Sequence, residues 1–157
     1  MIPFARLAAA CAFSFCLALI PAAIRAADTP PNVDAEIADA AKQCTELGGR
    51  PNTEAMLTAL DFTGKGGPDW LIDYAKLKCD GIPNPFCGTG GCSLQLYVYD
   101  SGTTWKQALD ETVRAYSVVK VGGKPALRLT MGGSACGKVN ASSCFFLFQN
   151  GKLTQTR

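Results

Sequence analysis

The sequence predicts an α+β domain: one N-terminal helix packed on an antiparallel β-sheet and stabilised by disulfides. An early stretch repeats apolar residues at helical spacing. The remainder alternates apolar and polar residues in short runs punctuated by glycines. Eight cysteines occur in 157 residues, of which 48% are apolar. That length suits a single packed domain. Charged residues make up only 18%, with a formal net charge of +2, so neither a disordered tail nor a nucleic-acid partner is expected. Histidine is absent. This removes Ser-His-Asp and Cys-His nucleophile systems, His-based zinc sites and imidazole acid–base catalysis.

Residues 1–26 read as a secretory signal peptide. Arg6 supplies a basic start, Leu7 to Ile24 form an apolar run broken by Pro21, and Ile24-Arg25-Ala26 fits a cut after Ala26. The alternative is a retained membrane anchor, although the run is at the short limit for a span. A membrane contact is expected only through an uncleaved segment of this kind. Lipidation at Cys11 is disfavoured, because Leu7 lies four residues before it rather than three. Residues 27–157 then form a periplasmic or secreted domain with zero formal charge and six cysteines.

Along this domain, Val33, Ile37, Ala41, Cys44 and Leu47 form a helical stripe, with Asn32 as cap and Gly48-Gly49 as stop. Met56–Phe62 and Trp70–Tyr74 read as strands around a glycine-rich turn, and Lys76–Cys79 continues an alternating strand. Asp80–Pro85 is a loop and Cys87–Cys92 a tight turn. Leu94, Leu96 and Val98 alternate with Gln95, Tyr97 and Tyr99, which predicts a strand with Tyr97 and Tyr99 on an exposed face. Thr104–Glu111 fits a helical turn or a strand. Val113–Val121 and Ala126–Met131 pair through Gly122-Gly123. After a long loop, Phe145–Phe148 and Lys152–Thr156 pair through Asn150-Gly151, the strongest hairpin signal in the chain.

Six cysteines allow fifteen pairings, which spacing alone does not decide. Local geometry favours Cys87–Cys92, Cys136–Cys144 and Cys44–Cys79, the last tying helix to sheet. A Cys₄ zinc site from Cys87, Cys92, Cys136 and Cys144 is the rival, but only the first pair has ligand-like spacing.

"DFTGKGGPD" places Asp61, Thr63, Gly67 and Asp69 at ligand positions 1, 3, 7 and 9 of a calcium loop, with Gly66 at the turn. Here the chain resembles the strand–loop–strand segments of FG-GAP/VCBS-type repeats. It is also similar to small bacterial exported proteins that join such a loop to a Cys-Gly-x-Gly-Gly-Cys strand. The resemblance covers roughly Leu60 to Tyr99. It implies a hairpin around the loop and a secreted location, and no activity. Lys65 departs from the pattern: an ammonium has no acceptor. The reading preferred over bound calcium is a metal-free turn in which Lys65 sits between Asp61 and Asp69 as a built-in cation.

Catalytic signals are weak. Gly132–Val139 falls short of a phosphate loop because Val139 replaces the hydroxyl residue. Ser134 and Lys138 are one of many Ser–Lys pairs that exported loops offer. Asp61, Asp69, Asp73 and Asp80 could supply two carboxylates for a hydrolase.

Residues 27–100 carry five Lys or Arg against eleven Asp or Glu, whereas residues 101–157 carry eight against two. Either the halves interleave and neutralise each other, or they form a dipolar surface that steers a charged partner. In the second case Arg114, Lys120, Lys124 and Arg128 are the candidate contacts, beside Tyr97 and Tyr99. The expected function is a non-enzymatic exported binding module for a protein or cell-envelope polymer. One form of it is an inhibitor that inserts its Cys136–Cys144 loop into a secreted hydrolase. A carboxylate-dependent hydrolase and a calcium-stabilised structural domain are the alternatives.

Overall fold

The structure is a computed structural model that describes residues 29–139 and 141–157. The proposed signal segment, 1–26, lies outside them. Helix α1 spans Pro31–Glu46, with Pro30 rather than Asn32 at its cap. Proline suits the first helical position because the N–H it lacks would have no partner there. The Pro30 carbonyl accepts from Val33 and Asp34 instead. Gly48, at φ +88°, closes the helix. Its N–H donates to Thr45 and that of Gly49 to Cys44, so the last carbonyls are satisfied by a left-handed turn. The buried stripe is Val33, Ala40 and Cys44. Leu47 lies past the end and is 59% exposed.

Eleven strands follow. β1 (Arg50–Asn52) pairs with β4 (Lys78–Asp80) as a small ribbon. β2 (Leu57–Leu60) and β3 (Asp69–Asp73) form the expected hairpin around the Asp61 loop. β3 joins β6 (Gly91–Ser101), which also takes the short β5 (Cys87–Gly88) and the long β7 (Thr104–Val113). A separate four-stranded sheet follows the order β11-β10-β9-β8, built from β8 (Ala115–Val121), β9 (Lys124–Gly132), β10 (Ser143–Gln149) and β11 (Lys152–Thr156). All the pairings are antiparallel.

The fold is therefore α+β as expected, but the single sheet is corrected to two main sheets and a ribbon. The division falls at Arg114. Its N–H donates to Thr130 on β9 at 2.7 Å, so the chain leaves one sheet at Val113 and enters the other at Ala115. The first core lies between the sheets, with Leu71, Leu94, Leu96 and Leu109 facing Leu127, Leu129, Phe146 and Phe148. The second lies between α1 and the outer face of the first sheet, where Val33, Ala40 and Cys44 meet Trp70, Ile72 and Tyr97. The result is three layers: helix, sheet, sheet.

Two local expectations change. Lys76–Cys79 does not extend β3. Asp73 accepts from the Ala75 N–H at 3.0 Å and caps one 3₁₀ turn, Tyr74–Lys76, which redirects the chain to β4. The ambiguous Thr104–Glu111 is strand. Its helix-like spacing comes from a register shift: Leu96 pairs with Leu109 but Tyr97 pairs with Gln107. The extra residue, Ala108, bulges, so that both Ala108 and Leu109 meet the core.

The three favoured cysteine pairs are present as disulfides, with Cα separations of 5.8 Å for Cys44–Cys79, 4.0 Å for Cys87–Cys92 and 6.4 Å for Cys136–Cys144. Such bridges fit an oxidising compartment. Among the described residues, no helix is long and apolar enough to cross a membrane.

Candidate functional site

The Asp61 loop is organised around Asp69, which is fully buried at the start of β3. One carboxylate oxygen accepts the N–H groups of Phe62 at 2.7 Å and Thr63 at 2.6 Å. The other accepts the Tyr99 N–H at 2.7 Å and the Thr63 hydroxyl at 3.3 Å. A carboxylate offers about four lone-pair sites, and here protein donors use them. Asp61 accepts from the Gly64 N–H and so closes its own turn. Lys65 makes no ion pair with either aspartate; among the described residues the ion pairs are Lys42–Glu46, Lys76–Asp73 and Lys106–Asp100. The built-in lysine is thus corrected: backbone N–H groups, not an ammonium, balance the buried charge. Gly67 has a steric reason to be glycine, since a Cβ there would come within 2.7 Å of the Tyr99 ring. Among the described residues, no group of three or more His, Cys, Asp or Glu side chains forms a metal cluster.

Tyr97 is not on an exposed face, because α1 covers that side of β6 and leaves it 5% exposed. Its hydroxyl donates to one oxygen of Glu36 on α1 at 3.2 Å, and that of Tyr74 donates to the other at 3.2 Å. Burial first, and then the Glu36 carboxylate, push the Tyr97 phenol from 10.0 to about 12. The same causes raise Tyr74 further. Tyr99 is half-buried and packs edge-on against Trp105, with ring centroids 5.3 Å apart. Both expected contacts are therefore packing residues. Asp73 is also engaged: the Tyr116 hydroxyl on β8 donates to it at 3.0 Å, joining the two sheets. Burial and then Asp73 raise Tyr116 to about 12. The expected hydrolase pair loses Asp69 and Asp73 to these roles.

The four candidate cations do not form one patch. The Arg114 guanidinium bonds Ser142 O at 2.7 Å, Ser143 Oγ at 2.9 Å and Thr89 O at 3.3 Å, and so clamps two disulfide-closed turns together. Lys120 pairs with Pro125 in the ladder, on the opposite face from Arg128. Lys124 lies at the β8–β9 turn. Arg128 stands mid-sheet, exposed, beside Ser117 and Leu147.

The sheet around Arg128 gives the uneven charge of the two halves a structural basis. Residues 112–157, which build all of β8–β11, contain seven Lys or Arg and no Asp or Glu. The helix on the opposite layer carries Asp34, Glu36, Asp39 and Glu46 against Lys42. Opposite charges are segregated onto opposite layers, not interleaved. Among the described residues, no helix lies on the outer face of β8–β11. Strand alternation puts Val121, Arg128, Phe145, Leu147, Thr156 and Arg157 around one shallow depression, with Phe145 47% exposed. Arg128 and the exposed Phe145 ring make this face cationic and aromatic. The signal was available as the acid-free C-terminal third, but only the topology shows that this third is one sheet.

Comparison with protein-family models, curated proteins and solved structures finds no match for this chain.

Proposed function

We propose that this protein is an exported, non-enzymatic binding module whose bare β8–β11 face takes an acidic polymer of the cell envelope. The observation that carries the reading is a sheet face that no described element covers and that carries no Asp or Glu, built entirely from the acid-free stretch 112–157. Arg128 at its middle, with Lys152 and Arg157 at its margin, supplies positive charge for an anionic chain. The exposed Phe145 ring supplies an apolar plane for the C–H face of a sugar ring. The three disulfides support a periplasmic or secreted location, and Cys136–Cys144 ties the β9–β10 connection to its sheet, so that less ordering is lost on binding.

The test is titration of the purified protein with polygalacturonate and with neutral dextran. Binding should be confined to the acidic polymer and weaken as salt rises. Arg128→Glu with Lys152→Glu should weaken it more than tenfold while the melting temperature holds. Equal binding of dextran, or indifference to the double reversal, overturns the reading.

A second reading, inhibition of a secreted hydrolase, is favoured by one observation. Lys138 and Val139 stand on the loop closed by Cys136–Cys144, with Val139 73% exposed and Arg114 bracing the far side of the loop. It predicts stoichiometric inhibition of a trypsin-like protease that is lost in Lys138→Glu.

A further inference from the structure

A second concavity lies at the open end of the sandwich, away from the bare face. Three turns converge there: the Asp61 loop, Gly122-Gly123 and Asn150-Gly151. They enclose about 430 Å³, within the range of small-ligand pockets. Its floor is Phe62, Val98, Ala108, Pro125 and Phe148. The Phe62 and Phe148 rings stack with centroids 5.9 Å apart, so both sheets contribute to one apolar surface. The Ala108 bulge shapes this floor, since a regular strand would not turn both Ala108 and Leu109 inward. The rim stays open: a Cβ at Gly123 or Gly151 would meet nothing within 4 Å.

The charges at the mouth are uneven. Lys65 and Lys124 both line it, and among the described residues neither has a carboxylate within ion-pair distance, although Lys65 acts at longer range on Asp100. The one acid, Asp61, already spends an oxygen on the Gly64 N–H. An apolar floor under two ammonium groups that outnumber the single Asp61 carboxylate fits a ligand with an apolar body and one anionic head.

We propose that this end pocket binds an amphiphilic organic anion, an acyl carboxylate whose chain lies on Phe62 and Phe148 and whose head meets Lys65 and Lys124. The site is separate from the polymer-binding face and does not depend on it.

The experiment titrates the purified protein with decanoate, decanol and decylamine below their aggregation limits, and follows heat together with the methyl signals of Val98 and Ala108. Decanoate should bind most tightly and shift both methyls. Lys124→Gln and Lys65→Gln should each weaken decanoate about tenfold and leave decanol unchanged. Phe145→Ser, on the bare face, should have no effect. Failure of decanoate to bind overturns the proposal. So does equal binding of decanol, a preference for decylamine, or binding that disappears with Phe145→Ser and not with the lysine changes.

Discussion

The Tyr99 backbone N–H, on β6, donates to the side chain of Asp69 at 2.7 Å. At this point a carboxylate takes the place of a strand carbonyl in the ladder between β3 and β6. The same carboxylate gathers Phe62 and Thr63 from the preceding loop. One buried charge thus fixes a loop, a strand end and the neighbouring strand together.

Asp69→Ala should accordingly be among the most damaging polar substitutions in the chain. It leaves three backbone N–H groups without their acceptor, each worth about 1–3 kcal/mol when unsatisfied. Denaturant unfolding should show a loss of at least about 3 kcal/mol. Asp69→Asn, which keeps one acceptor oxygen, should cost less. The wild-type melting temperature should be equal in calcium and in chelator; a rise with calcium would restore the calcium-loop reading.

Stability should fall at high pH. The Tyr97 and Tyr116 phenols are raised from 10.0 to about 12 in the folded protein, chiefly by burial. Between these values the unfolded chain loses protons that the folded chain keeps, so their contribution is complete below pH 10 and lost as pH rises toward 12. Each tyrosine contributes a slope of at most about 1.4 kcal/mol per pH unit. Urea midpoints measured across this window should decline, and those of Tyr97→Phe should decline less steeply.

The disulfides should differ in worth. Cys44–Cys79 closes a separation of 35 residues and Cys87–Cys92 one of 5. In the chain-entropy account the first stabilises by about 4 kcal/mol and the second by about 2. Paired Cys→Ala variants, compared by thermal melting, should follow that order.

Gly67→Ala should shift the Tyr99–Trp105 pair, because the added methyl meets the Tyr99 ring. A changed near-ultraviolet circular dichroism signal with retained far-ultraviolet signal is the expected result. An unchanged near-ultraviolet signal would show that the loop absorbs the methyl.

Much of the fold was legible in the sequence. Asn150-Gly151 and Gly122-Gly123 marked their hairpins because type I′ turns require positive φ at both positions, which the structure shows. Cys87–Cys92 and Cys136–Cys144 were legible because short loops close locally, which left Cys44 and Cys79 to each other. The Arg114 crossing was not, since a strand that changes sheets keeps its alternation and leaves no local trace. Nor was the burial of Tyr97: alternation separates two faces but does not say which one a distant helix will cover. The Asp61 loop was recognised as a unit, yet the partner of its buried charge was misassigned. Every residue except proline carries a backbone N–H, so such donors give almost no signal in the sequence.

The placement of the three disulfides has a mechanical consequence. Cys44–Cys79 lies in the helix layer with the ribbon, Cys87–Cys92 within the first sheet, and Cys136–Cys144 within the second. Among the described residues, no covalent bridge crosses from one sheet to the other. Apolar packing, the Tyr116–Asp73 bond and the Arg114 clamp hold that seam. Pulled or heated while fully oxidised, the domain should part there first, like a book opening at its spine near Arg114, with each cover still stapled.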